Sequence, residues 1–430
     1  MSWTGGYISD VRYPAFFYKE MQPLWLSTVA GLSGFTAPRD NADFTLCELG
    51  CGVGINLLVA AACHPGAYFV GVDFNADHLT MARDAARSSG ISNVEFIHAD
   101  FAGFARDNRQ NFDYITCHGV WSWIAAEQQV AILDMVSARL NQNGLFYLHY
   151  MCHPGSTDLM SFQHLLNLCA HHMPGPSPRK AQVGMKLLQQ MAGSGIFADR
   201  PDLVRHLTNM AKRQPEDIAH EFLTDHWRPQ HCVDLHQQVG QAGLRYLASA
   251  DVFNNLDPSL SIPGRMQGLI RQTQIPALAE TMKDMARNAH QRMDLFHKEP
   301  TPLNPADFAA HVARMRFRLL PNAPSHGPIQ FDTPIGPITG PEAIFTPLLQ
   351  RLVQGPASGA DLLALPIFAG DVVALLQSLQ LLMMQAMVHP ATADGVMKGD
   401  QVERLAQWFR QNAIQIDMIG DCGTAVVARA

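Results

Sequence analysis

The residues with the most chemical content lie in Glu48-Leu-Gly50-Cys-Gly52-Val-Gly54. Glycines at every second position let a tight loop approach a ligand without Cβ obstruction, and a helix that follows turns its first amides toward that ligand. The dinucleotide fingerprint GxGxxG is not met, because its third glycine would fall on Ile55 or Leu57. Nineteen residues beyond Gly54, Asp73 opens Asp73-Phe74-Asn75. A carboxylate there can accept both hydroxyls of a ribose, with Phe74 and Asn75 beside it. Asp100-Phe101 follows, an acid suited to an adenine amino group next to a ring.

The elements that must position these residues can be read around them. Phe44–Leu49, Tyr68–Asp73, Val94–Asp100, Phe112–Cys117 and Gly144–Tyr150 read as strands. Asn56–Cys63, His78–Ser88 and Glu127–Leu140 read as helices between them. That alternation argues for βαβ units and a parallel sheet. The aromatic-rich stretch Tyr13–Leu32 reads as helical. After Gly155 the β signal fades, and residues 157 to about 300 read as successive helices, with Asp294-Leu-Phe296 in a helix and Lys283–Arg292 as a solvated helix face. Seven prolines between 321 and 347 exclude a continuous helix there. Ile329–Asp332 and Ile335–Ile338 read as short edge strands or a linker, and the chain is helical again from Glu342 to a β-like tail near Gly423–Val427.

The 430 residues exceed one core of ordinary size, and 31 basic against 38 acidic side chains give a net charge of −7. No basic field for a nucleic-acid backbone follows, so no nucleic-acid partner is expected. The opening MSWTGGYISDVRYP lacks a signal-peptide pattern, and Val372–Val388 reads as a buried helix rather than a membrane span. Eight cysteines without a CxxC pair fit reduced core thiols, so the expected location is cytoplasmic. His226, His231 and His236 sit five apart across Pro229, which does not stack them on one helical face, and no metal is expected.

The order E-x-G-x-G-x-G, strand-two acid, strand-three acid with a following ring resembles the class I S-adenosylmethionine-dependent methyltransferases over roughly residues 40–150. The resemblance implies that Gly50, Gly52 and Gly54 lie along the methionyl part of the cofactor. It implies that Glu48 orients the loop or reaches the cofactor amino group, that Asp73 holds the ribose, and that Asp100 with Phe101 holds the adenine. His118-Gly-Val-Trp121-Ser-Trp123 follows strand four, where such enzymes place groups facing the transferred methyl. S-adenosylhomocysteine would be the product.

Further stretches, Ala219-His-Glu-Phe-Leu223, Trp227, Ala242–Ala250 and Asp294-Leu-Phe296, make the chain similar to bacterial methyltransferases that carry a methyltransferase regulatory domain. Characterised members of that family include protein lysine methyltransferases. The resemblance implies an α/β Rossmann-like domain with a mostly parallel seven-stranded sheet, followed by mainly α-helical middle and C-terminal winged-helix-like domains. The expected boundaries are 1–155 with an N-terminal helical lid, 156–320 and 321–430. His149-Tyr150-Met151 and Pro154-Gly155-Ser156 depart from the family's Ser-Tyr-Asn and Pro-Gly-Trp.

Methyl transfer from a sulfonium needs alignment and exclusion of water, and a base only where the acceptor arrives protonated or is a poor nucleophile. His118 and Tyr150 are the candidates for catalysis; an orienting histidine is the other reading of His118. Trp121, Trp123 and Tyr150 could wall an amine by cation–π attraction, with at least one tryptophan expected as plain core. Tyr13 and Tyr18, with Phe17, read either as a lid or as a helix's packing face. His220-Glu221 and Trp227 read as fixing the middle domain or its contact with the catalytic domain. The expected acceptor is a protein lysine amine. A small molecule or glycan is the alternative, and a non-catalytic cofactor sensor the second; homodimerisation is left open.

Overall fold

The structure, a computed structural model, describes residues 5–38, 43–321, 323–392 and 399–427. Strands that are apolar on both faces need cover on both faces, and this dictates the first half of the chain. Helix α1 (Pro23–Leu32) precedes β1 (Thr45–Leu49), α2 (Ile55–Cys63), β2 (Tyr68–Asp73), α3 (Ala76–Ser89), β3 (Val94–His98), α4 (Phe101–Asp107), β4 (Phe112–Cys117), α5 (Ala126–Arg139) and β5 (Leu140–Met151). Four helices then form a cluster on one side: α6 (Leu159–His171), α7 (Ser177–Gly193), α8 (Pro201–Met210) and α9 (Pro215–Phe222). The chain returns through α10 (Cys232–Gln241), β6 (Leu244–Ser249), α11 (Pro258–Ser261), α12 (Gly264–Gln272), α13 (Pro276–Arg287) and β7 (Gln291–Lys298).

One seven-stranded sheet results, in the order β3-β2-β1-β4-β5-β7-β6. Strands β1 to β5 run parallel, and β7 is antiparallel to both β5 and β6. The sheet is therefore completed by residues 244–298, which the boundary at 155 places outside it. Asp294-Leu-Phe296 is the centre of β7, not a helix. The stretch Lys283–Arg292 is not a solvated face either, since Asp284, Arg287 and Arg292 are buried. Arg292 donates to Asp294, Asp284 and Glu280 at 3.0, 2.7 and 3.0 Å. Burial makes such a cluster tenable only when each charge is paired.

The C-terminal part holds α14 (Pro305–Arg314), β8 (Arg316–Leu319), β9 (Ile329–Phe331), β10 (Ile338–Gly340), α15 (Glu342–Val353), β11 (Ala357–Ser358), α16 (Gly359–Leu363), α17 (Val372–Met384), β12 (Val388–Ala391), α18 (Asp400–Gln411), β13 (Ile416–Ile419) and β14 (Thr424–Val427). The proline-rich stretch thus contains the β9–β10 hairpin. Strand β8 pairs with β11 and β12, and β13 with β14. All nine residues of α2 are buried, as expected of a helix apolar all round. The sheet covers one side of it and α18, with Leu405, Trp408 and Phe409, packs on α2 and α3. Among the described residues no helix is long and apolar enough to cross a membrane, and all eight cysteines are free thiols.

The segment before α1 differs from its reading as helix. Only Pro23–Leu32 is α-helical, after a short 3-10 turn at Lys19–Met21; residues 7–18 form an irregular strap that bends at Asp10 and Val11. Gly5, Gly6 and Pro14 do not favour a helix, and the strap spends its amides on other elements. Tyr13 N–H donates to His78 Nε2 at 3.1 Å and Tyr18 N–H to Asn56 Oδ1 at 2.9 Å. On the other side Asp225 N–H donates to Gly6 O and Ser177 N–H to the Asp10 carboxylate. The strap therefore bridges the sheet domain and the helical cluster.

Candidate active site

The loop after β1 takes a left-handed turn at each of its three glycines, with φ +76° at Gly50, +53° at Gly52 and +75° at Gly54. A Cβ on Gly50 would lie 2.3 Å from Val120 Cγ2, whereas one on Gly52 meets no protein atom within 4 Å. Gly52 thus faces open space in a cleft lined by Gly50, Asp73, Phe74, Ala99, Asp100, Phe101 and Val120. Its backbone N–H donates to Asp73 Oδ2 at 2.8 Å, and Asn75 N–H donates to Oδ1 at 2.8 Å. Two amides so hold the carboxylate at the end of β2. Asp100 caps α4, accepting from Gly103 N–H at 2.6 Å.

Beyond Tyr7, Tyr13, His118, Gly119 and Trp123 the cleft opens into a second chamber. Those five residues line both spaces. Tyr18, His149, Met151, His206, Arg213, Asp217, His220, Glu221, Gln291 and Met293 line the chamber further on. The walls come from the strap, the loop after β4, the end of β5, the start of β7, and α8 and α9. His118 sits at the junction, with its Nδ1 2.7 Å from the Tyr147 hydroxyl. Its ring stacks on His149 at 4.2 Å and lies 3.8 Å from the Tyr18 ring. His149 Nδ1 accepts from Gly119 N–H and its Nε2 faces Gln291 Oε1, each at 3.1 Å, which fixes the tautomer. Burial, and then the neighbouring His149, hold His118 well below the usual imidazole range; burial brings His149 down to about 4.

The structure separates the expected site residues. Gly50, Gly52, Asp73, Phe74, Asp100, Phe101, His118, Trp123 and Tyr13 line the cleft, and Tyr18 lines the chamber. Gly54 and Glu48 lie beneath the loop. Gly54 caps α2, and a Cβ on it would meet the Phe96 ring. The Glu48 carboxyl is buried and pushed up to about 8, mainly by burial, with Asn56 opposing the shift and Asp73 adding to it. Asn75 spends its side chain capping α3, accepting from Asp77 and His78 N–H.

Tyr150 and Trp121 lie away from both spaces. Along a strand successive side chains point to opposite faces, so His149 and Met151 face the chamber while Tyr150 faces the other way. There its hydroxyl donates to Asp294 at 2.7 Å. Trp121 is fully buried on the same far side and donates to Gln230 Oε1 at 2.6 Å. Ser156, one of the departures from the family pattern, also lies away from the chamber and donates to His290 O. Glu221 was read as a structural residue but lines the chamber. Its backbone oxygen accepts from Trp123 Nε1 at 3.0 Å, while its carboxylate interacts with Trp227 and Arg213. His78 was missed as well; nothing in its local sequence distinguishes it from any first-turn helix residue.

A carboxylate at the end of β2, a glycine-lined loop after β1 and an apolar slot at Phe74 and Phe101 have the chemistry that fits an adenosyl group. Residues 40–212 match the model of a family described as a methyltransferase domain, and residues 214–298 match that of a predicted methyltransferase regulatory domain. The chain is an S-adenosylmethionine-dependent methyltransferase. In it the match to a predicted methyltransferase regulatory domain directly follows the match to the methyltransferase domain.

Among its relatives, an uncharacterized protein of Synechocystis is 26% identical over 404 residues, covering 93% of this chain and 79% of that one. An uncharacterized protein of Rickettsia prowazekii is 28% identical over 247 residues, 56% of this chain but only 44% of its own. PKMT2 from Rickettsia typhi, solved in complex with AdoHcy, superposes with a TM-score of 0.68 at 20% identity, covering 88% of this chain and 77% of that one. At that identity the likeness shows a shared fold.

Proposed function

We propose that the chain methylates the side-chain amine of a protein lysine. The observation that carries this reading is the junction of the two spaces. The cofactor cleft opens through a collar of Tyr7, Tyr13, His118, Gly119 and Trp123 into a chamber that carries the carboxylates Asp217 and Glu221, the latter on the segment that Trp123 bonds. A lysine side chain is an aliphatic stem with a cationic head, and aromatic rings favour both. The regulatory domain and the fold shared with PKMT2 support the same reading.

S-adenosylmethionine supplies an electrophilic methyl on a sulfonium. The rest falls to the protein. Gly50 and Gly52 would lie along the methionyl part and Asp73 would hold the ribose, with Asp100 and Phe101 placed to take the adenine. The strap, Tyr13 and Tyr18 exclude water from the junction. His118 stays neutral and is held by Tyr147 and His149, so it orients the collar and is a poor proton acceptor; the lysine ammonium would lose its proton to solvent through the chamber before its lone pair takes the methyl and AdoHcy leaves.

The test uses methyl-labelled S-adenosylmethionine and the purified protein in a lysate of the native host. Label in acid-insoluble protein, mapped to lysine by mass spectrometry, is expected. Label confined to the soluble pool would overturn the protein reading in favour of a small acceptor. Cofactor binding with no label in any fraction would favour a sensor.

A further inference from the structure

The charges facing the chamber do not balance. From α9 come Asp217 and Glu221, and from the turn before it Arg213. The remaining titratable neighbours are histidines held neutral by burial: His118, His149, His206 and His220. The tyrosines of the strap are pushed up by burial, Tyr18 to about 12, so they carry no charge. Two carboxylates therefore face one guanidinium. That guanidinium is itself loosely placed, with Arg213 Nη2 3.8 Å from Glu221 Oε2, beyond hydrogen-bond range. The Arg213 side chain keeps 40% of its surface exposed and that of Glu221 20%.

We infer that Glu221 is the acceptor-binding carboxylate of the chamber, pairing with the cationic head of an incoming alkylammonium while the strap tyrosines and Trp123 enclose its stem. This rests on the lysine reading and adds the residue that selects for charge. Arg213 occupies the place of the missing cation from the solvent side, and an arriving ammonium displaces it. Glu221 lies in the helical cluster and the cofactor acids in the sheet domain, so the acceptor and cofactor sites are built by different segments of the chain.

The test measures binding, not turnover. The full chain saturated with AdoHcy is titrated by calorimetry or ligand-observed NMR with N-acetyl-lysine methylamide and with its uncharged counterpart, N-acetyl-norleucine methylamide. The native protein is expected to prefer the lysine probe. Glu221→Gln should weaken that probe by about ten- to a hundredfold, leaving the norleucine probe and AdoHcy affinity unchanged. Arg213→Gln should tighten the lysine probe severalfold, which a merely structural role of Glu221 would not produce. Equal binding of the two probes, or a Glu221→Gln protein that keeps its lysine affinity within twofold, overturns the assignment. Label on protein lysine with an unselective chamber would overturn Glu221 and leave the lysine reading. Charge selectivity with label only on another acceptor would do the reverse.

Discussion

At the scale of single residues, the cofactor side turns on Asp73 and Gly52. Asp73 accepts two backbone N–H bonds and lines the cleft, where its proposed role is to hold the ribose. Asp73→Ala should lower AdoHcy affinity by an order of magnitude or more, since hydrogen bonds to a charged group are worth about 1.5–3 kcal/mol. Calorimetry checks it, and unchanged affinity would remove the ribose role. Gly52→Ala separates stability from binding. The new Cβ meets no protein atom, so only the left-handed backbone is strained, about 1 kcal/mol. It projects into the cleft, so cofactor affinity should fall by more than the melting temperature suggests. These residues were legible in the sequence because a glycine loop and two strand-end acids are local patterns. Which aromatics line the chamber was not. Tyr150 and Trp121 share a stretch with His149 and Trp123, and only the facing of strand and turn sorts them. Parity along β5 was the unused signal, since His149 and Met151 must share a face and Tyr150 cannot join them.

At the scale of elements, the strap and the Arg292 cluster make opposite demands on the same sheet. His78 accepts the Tyr13 amide through Nε2 and turns Nδ1 toward Asp73 Oδ1 at 3.7 Å. One ring thus joins the strap to the carboxylate at the end of β2. His78→Ala should speed proteolytic cleavage within residues 5–18 and weaken AdoHcy severalfold; an unchanged cleavage rate would show that the strap does not depend on it. Behind the sheet Arg292 serves Asp294, Asp284 and Glu280, with His236 on Asp294 at 2.7 Å. Arg292→Met removes the guanidinium that three largely buried carboxylates share and should cost about 3–5 kcal/mol in denaturant unfolding. Through residue 151 the five strands and helices α2, α3 and α5 were readable because each β run is apolar and bounded by helix-forming segments; the short α4 was not read. Strands β6 and β7 were not readable. They carry Arg245, Arg292 and Asp294, and a charged strand whose partners lie on α13 looks like a solvated helix until the pairing is known. The strap misled in the same way, since its aromatics pack onto other elements and not onto a helix of their own.

At the scale of the molecule, acid should unfold this protein early. Burial pushes nine histidines down (64, 118, 149, 153, 206, 220, 290, 297 and 389), with His64, His149, His220 and His389 brought to about 4. Their folded pKa lies below the unfolded value of about 6.5, so the unfolded chain binds more protons and stability falls as pH drops from about 6.5 toward 4. Four carboxyls pushed up, Glu48, Glu221, Asp251 and Asp284, act in the opposite sense but are outnumbered. Calorimetry between pH 7.5 and 5 should show the melting temperature falling by several degrees; a flat profile would contradict the count. The C-terminal part belongs to the same core. Trp408 donates to Asp84, and Arg404 and Gln401 donate to the carbonyls of Ser89 and Gly90. A chain ending at Lys298 should therefore expose α2 and α3 and aggregate, which size-exclusion chromatography would register.

The order of the sheet also sets a timetable for synthesis. Strand β5 is complete at Met151, yet its neighbour β7 begins only at Gln291, with residues 152–290 between them. At about 5–20 residues per second on the ribosome, the edge of β5 waits roughly 7–28 s for its partner. Through that interval it presents unpaired backbone groups and a row of apolar side chains, the kind of surface that recruits other nascent chains. The helical cluster emerges during the wait and can shield one face of the strand but cannot supply the missing ladder. Yield in the cell should therefore respond to translation speed and to chaperone supply more than to the final stability of the folded enzyme.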